Sequence, residues 1–441
     1  MCWYGAGPRN GRCIPTEANS SRCGGTTPTV RRAALGFSPL DKALGLVPGT
    51  ALSPRLLQGL IRLGLALPFA EAATLMTYFT RVPVSPETTR RWTERAGAAQ
   101  LASEQDAVER LESELPAAPQ GPAIQLLSAD GAMVPLVGGQ WAEARLLTIG
   151  TVQPERRGSP RTTDLSYFVR LTDAETFGRL ATVETHRRGT ATAGTVVAVT
   201  DGAPWLQAFI DLHRPDAVRI LDFPHAVQHL SLAAQAVYGS GTAAASEWLG
   251  QQAHRLRHGD PTDVLTAVAD LTAEATTMEA TASVTSCHAY LASRQSHLTY
   301  AAFADHGYPL GSGSVESGQK LVVQARLKGP GMHWTRVAVN DLLALRGIER
   351  SGRWSATWPE ILAALRARPR NPRRRTPRGP AVIWPVICSL PALPAPTPVL
   401  ALPIPHPAPP PKQVINGRPT AAHPWRRFRL PGSPDFLPRA K

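Results

Sequence analysis

The order in which the hydrophobic period changes over residues 121–222 constrains this chain more than any other feature. AIQLLSAD (123–130), WAEARLLTIGTV (141–152) and LSYFVRL (165–171) are apolar or β-branched runs of strand length. DAETFGRLATVETHRRG then puts apolar residues back at helical spacing. TVVAVTDG (195–202) is β-branched again, LQAFIDLH is helical, and AVRILDF is a fifth strand. Three successive strands followed by alternation of helix and strand predict a mixed α/β sheet.

The flanks follow other periods. Residues 1–36 are rich in Gly, Arg, Ser and Thr without periodicity and are expected to be a tail. Residues 37–120 are expected to form a small all-α, helix-turn-helix domain. Ser53 before Pro54 and Ser85 before Pro86 are cap-and-start pairs, and Leu56, Leu57, Leu60, Leu63 and Leu67 recur at helical spacing. The third helix, ETTRRWTERAG, carries Thr89, Arg90, Arg91, Trp92 and Arg95, which suit a recognition helix in a DNA groove. A solvated amphipathic face would carry the same residues. A separate charged helix is expected from residue 98, ending in a Pro-rich hinge before 121. Beyond the sheet, 223–305 is Ala- and Leu-rich at helical spacing and predicts a helical insertion. Residues 306–371 pass from a Gly/Ser loop into the last helices, and 372–441 read as a Pro/Arg-rich tail.

The formal net charge of +14 points to a polyanionic partner, most often nucleic acid. The five cysteines, Cys2, Cys13, Cys23, Cys287 and Cys388, are scattered and odd in number, which fits a reduced chain better than a disulfide scaffold. No run approaches the roughly 18 apolar residues of a membrane span, and MCWYGAGPRNGRC lacks the apolar core of a secretory signal. A cytoplasmic protein without a membrane partner is expected.

Asp130 and Asp201 each end a predicted interior strand, and each is followed by Gly. Acids at the ends of neighbouring strands converge at one sheet edge, where two carboxylates ~4 Å apart repel by about 4 kcal/mol at an effective dielectric near 20. A cation or a shared proton must compensate. Glu316, in GSGSVESG, falls in the first turn of a helix that Ser314 is placed to cap. Three carboxylates form a hard oxygen site, suited to two Mg2+ or Mn2+ ions. Lys320, Arg326, Lys328 and Arg336 surround that motif with cations suited to a phosphate backbone. Each residue also has an ordinary reading: a strand-end Asp is most often a turn former, and Arg326 would serve equally in a surface ion pair. Trp334 would stack on an unpaired base or plug the core. His225 and His229 are four apart on a predicted helix and remain secondary, as does Asp222, which ends the fifth strand.

The segments ADGAMVPL, WAEARLLTIG, VTDGAPWLQAFIDLHRPDAVRILDFPHAVQHL and YPLGSGSVESGQKLVVQARLKGPGMHW resemble the bacterial insertion-sequence transposases of the ISKra-four family, of the DDE class. The likeness covers roughly residues 37–355, and NGRPTAAHPWRRFRL is similar to family C-termini. The resemblance implies an RNase H-like catalytic domain with Asp130, Asp201 and Glu316 as metal-binding acids. It also implies cut-and-join chemistry on double-stranded DNA, the element's terminal repeats and a target, by a homo-oligomer. Family members often carry a cysteine-paired zinc ribbon ahead of the GFSPLD segment. TVRRAALGFSPLD has no such pairs, so the likeness does not extend to DNA-end recognition by the N-terminus. A catalytically silent DNA-binding remnant and an RNase H-like nuclease are the alternatives.

Overall fold

Serine followed by proline starts two helices where the sequence predicts them. Ser53 Oγ accepts from the Leu56 N–H (3.4 Å) at the head of α1 (Pro54–Ala66), and Ser85 Oγ from the Thr88 N–H (3.1 Å) at the head of α3 (Pro86–Glu114). Between them lies α2 (Phe69–Thr80). The computed structural model describes residues 45–50, 52–153, 160–367, 414–415 and 418–419. The expected tail over 1–36 lies outside the described residues, as does most of that over 372–441.

The break expected near residue 98 is absent: α3 is one helix of 29 residues. Gly97, within it, lets another backbone come close, because a Cβ there would lie 2.3 Å from the Asp341 carbonyl oxygen. That backbone belongs to α12 (Arg336–Arg350), so the glycine marks a helix crossing and not a helix end.

All five predicted strands form. They are β1 (Ile124–Pro135), β2 (Trp141–Gln153), β3 (Arg161–Arg170), β4 (Thr195–Thr200) and β5 (Val218–Leu221), in the order β3-β2-β1-β4-β5. The first three are antiparallel neighbours, whereas β4 pairs parallel with both β1 and β5. Crossover helices α4 (Ala174–Arg187) and α5 (Pro204–His213) cover one face of this mixed α/β sheet, through Phe177, Phe209 and Ile210 packed on Leu127, Leu147 and Ala198. The insertion is helical throughout its regular elements: α6 (Phe223–Tyr238), α7 (Ala243–His258), α8 (Pro261–Glu274), α9 (Met278–Ala292) and the short α10 (Tyr300–Asp305). Then α11 (Gly313–Gly318) continues through a π-helical stretch, Gln319–Gln324, into Ala325–Leu327, and α12 and α13 (Trp354–Arg366) follow.

The other face of the sheet carries two apolar clusters. One joins Leu126, Val197, Val199 and Ile220 to the insertion helices. The second joins Val134, Leu146 and Val169 to Leu60, Ile61, Trp92 and Leu342, so the N-terminal helices share a core with the sheet. The described residues up to Ala367 form one compact unit. In the second unit, 371–441, Val414–Ile415 and Arg418–Pro419 pair antiparallel. No helix among the described residues is long and apolar enough to cross a membrane.

Candidate functional site

β4 ends at Thr200, and the chain turns through Asp201 and Gly202, whose φ of +78° is the left-handed conformation that glycine adopts without steric cost. β1 runs on. Asp130 therefore lies inside a strand and not at its end, because β2 keeps pairing with β1 as far as Pro135 after the ladder with β4 has stopped at Leu127. Ser128, whose hydroxyl donates to the Val199 carbonyl (2.6 Å), extends that register, with the two residues 71 apart in sequence. Ile124 with Thr195 and Leu127 with Ala198 keep the same separation, and so do Asp130 and Asp201. Asp201, one residue past the end of β4, thus follows the strand that neighbours the one holding Asp130.

Strand alternation puts Asp130 on the face opposite Leu127 and Ala129. Along β1 that face runs Leu126, Ser128, Asp130, Ala132, Val134, from the insertion-side cluster into the other, so Asp130 falls at the seam between the two. α11 packs over β1 and β2 and brings Glu316, exposed in its first turn, toward the same place. Burial pushes the Asp130 carboxyl up to about 6. The Gly131 N–H, 2.6 Å from Oδ1, opposes the shift, while the charges of Asp201, Glu143 and Glu316 add to it. Asp201 spends one oxygen on the Ala203 N–H (2.9 Å), an Asx turn.

A site for a divalent cation can be tested on this donor set. Asp130, Asp201 and Glu316 supply only carboxylate oxygen, and their mutual repulsion, felt at Asp130, is what a cation would relieve. Among the described residues, however, no group of three His, Cys, Asp or Glu side chains stands close enough to hold a metal ion. The chemistry of the set fits Mg2+ or Mn2+, with the side chains not drawn together.

Several residues that hold these acids were not singled out from the sequence. Gln319, the first residue of the π-helical stretch after α11 and three residues beyond Glu316, donates to the Asp130 carbonyl (2.9 Å) and is buried. Tyr290 of α9 donates its hydroxyl to the Asp201 carbonyl, and Arg294 donates to the Gly202 carbonyl from Nη2 (2.9 Å) and Nε (3.3 Å). The His229 ring stacks on Tyr290 (3.9 Å between centroids), with His225 5.0 Å from His229. Burial lowers the His229 pKa, and His225 and Arg294 lower it further. Glu143 fills the space over Gly131, where a Cβ would lie 2.0 Å from its Oε1, and it pairs with Arg145 (2.6 Å). The helical spacing of Gln319 from Glu316 was the one signal available; nothing local pointed to Tyr290, Arg294 or Glu143.

The remaining expected residues divide between helix ends, core and surface. Asp222 is buried and caps α6, accepting from the His225 N–H (3.1 Å) and, through Oδ1, from the Ser312 N–H (2.7 Å), so both oxygens hold backbone. Ser314 does not cap: it lies inside the first turn of α11. Arg326 and Trp334, expected at a DNA surface, are in the core. Arg326 donates to the Gly64 carbonyl (3.0 Å) between the Phe69 and Trp334 rings, and Trp334 Nε1 donates to the Leu327 carbonyl (3.0 Å). On α3, Thr89 and Trp92 are buried, Arg90 is paired with Glu87 (2.7 Å) and Glu94 (2.8 Å), and Arg95 lies over Trp92 (4.3 Å). Arg91, Lys320, Lys328 and Arg336 are exposed. Neither family models nor curated proteins give a match to this chain.

Proposed function

We propose that this chain is a DDE-class transposase with an RNase H-like catalytic sheet, cleaving DNA at the ends of its own element and transferring the freed 3′-OH to target DNA. The observation that carries the reading is Asp130 inside β1 with Asp201 just past the end of the adjacent β4, and Glu316 on the helix laid over β1 and β2, the charges of Asp201 and Glu316 both acting on the Asp130 carboxyl. The order β3-β2-β1-β4-β5, antiparallel and then parallel, supports the reading of the sheet as RNase H-like. Asp130, Asp201 and Glu316 would hold two Mg2+ or Mn2+ ions, which when bound supply charge stabilisation and a deprotonated nucleophile. The chain's own residues fix the acids: Gln319 ties α11 to β1, and Tyr290 with Arg294 holds the Asp201 turn. Arg91, Lys320 and Lys328, exposed, supply cations for the DNA backbone. Homo-oligomeric action on paired ends and a cytoplasmic, nucleoid-associated setting follow from the family resemblance.

The test is incubation of the purified chain with its terminal-repeat duplex and Mg2+ or Mn2+. Strand cleavage that Asp130→Ala abolishes, with duplex binding intact, is the expected outcome. Binding without cleavage by the unmutated chain would identify the silent remnant, and preferential cleavage of an RNA–DNA hybrid would identify the nuclease.

A further inference from the structure

Helix α7 buries one stripe and leaves the opposite one to solvent. Gln252 and Leu256, four residues apart, are buried. His254 and His258 stand two positions further along from them, about 200° round a helix of 3.6 residues per turn, and both are exposed. Residues four apart on a helix are surface neighbours, and the two imidazole rings lie 4.8 Å apart between centroids, tilted by 46°. Two ring nitrogens ligating one ion at about 2.0–2.1 Å, at an angle between a right angle and the tetrahedral one, place their ring centres roughly 4.5–5.2 Å apart. The rings already stand at the separation of a chelating pair. They occupy the last turns of α7, where the negative end of the helix dipole favours a cation. Arg255 is next in sequence and so on another face, and the Arg257 guanidinium is drawn to Phe223, 5.9 Å from its ring centroid. Other histidines have ring nitrogens engaged: His213 by Thr185 (3.3 Å) and the Gly178 carbonyl (3.0 Å), His186 by the Pro116 carbonyl (3.3 Å), and His306 by the Ala302 carbonyl (2.7 Å). His225 and His229 share the spacing, but Tyr290 stacks on His229 and the positive charge of Arg294 acts on it.

We propose that His254 and His258 form a binding site for one divalent transition-metal ion that prefers imidazole, Ni2+, Cu2+ or Zn2+, with water completing its coordination. Imidazole nitrogen suits these ions, whereas Mg2+ and Mn2+ go to carboxylate oxygen. The site therefore differs in chemistry from Asp130, Asp201 and Glu316, and it lies on a different element. Because both rings are exposed, binding takes neither ligand out of water first, and the bound ion would clip together one turn at the end of α7. Each ligating nitrogen must be free of its proton, so affinity falls as the solution is acidified. The inference goes beyond the function proposed above and does not depend on it.

The experiment is isothermal titration of the full chain with Ni2+ in excess Mg2+, which keeps carboxylate oxygen occupied. His254→Ala and His258→Ala should each weaken one Ni2+ site by about tenfold or more, since even the loss of a group supporting a ligand costs that much. The double variant should lose no more than either single one, because a lone imidazole does not chelate; such non-additivity is the mark of two groups acting on one ion. Alanine is a strong helix former and both positions are exposed, so the variants should fold, which circular dichroism melts would verify. His306→Ala should leave the titration unchanged, and the site should weaken between about pH 7.5 and 5.5 as protons compete. Titrations unaltered by His254→Ala and His258→Ala overturn the proposal. Losses that add in the double variant overturn it too, because they would mean two independent histidines. A site lost on His225→Ala and kept on His254→Ala would assign the ion to α6 and also overturn it.

Discussion

Asp130 is a carboxyl that the fold ionises at a cost. An unperturbed aspartate titrates near ~3.9, and here burial, reinforced by Asp201, Glu143 and Glu316, raises it to about 6. The folded chain therefore binds more protons than the unfolded one between about pH 4 and 6, and stability falls as pH rises through that window. Asp130→Asn removes the charge, so thermal melts should show it more stable than the unmutated chain near pH 8 and equal to it below about pH 4. Added Mg2+ should raise the melting temperature of the unmutated chain near pH 8 and leave Asp130→Asn unmoved, because a ligand stabilises only the state that binds it. The aspartates were legible because each closes an apolar run of sequence and precedes glycine. Glu143 was not, because only the β1–β2 hairpin puts its carboxylate over Gly131.

Elements formed where caps and periodicity predicted them, and their irregularities came from partners remote in sequence. The π-helical stretch Gln319–Gln324 departs from the usual i→i−4 bonding, and Arg346 of α12, 1% exposed, donates to the carbonyls of Leu321, Val322 and Leu65. One buried guanidinium thereby ties the helix carrying Glu316 and Gln319 to α12 and α1. Burial lowers its pKa to about 10, which still leaves it charged at neutral pH. Arg346→Met preserves bulk and removes every donor, and urea denaturation should show a loss of about 3 kcal/mol or more, since several buried carbonyls would be left unpaired at once. A loss below about 1 kcal/mol would mean that the stretch holds its geometry without the arginine. Arg326 shows the same difficulty for a reader of sequence: an arginine on a helix looks like a surface cation until the Phe69 and Trp334 rings close around it.

At the scale of the molecule, the charge of +14 predicts that affinity for duplex DNA falls with salt, with a log–log slope of about −0.9 per phosphate neutralised. Titrations of the terminal-repeat duplex over a range of salt would check this, and a flat response would remove the electrostatic basis for nucleic acid as partner. By itself the sequence determined the succession of elements and the net positive charge, and it singled out Asp130 and Asp201. Hydrophobic period, capping and net charge are local or additive properties and can be counted along a chain. Tertiary structure alone decided which groups meet. The bond from the Ser128 hydroxyl to the Val199 carbonyl joins β1 to β4 across 71 residues, and the contact of Gln319 with the Asp130 carbonyl spans 189. No local rule encodes those distances; they follow from how the apolar faces close over the sheet.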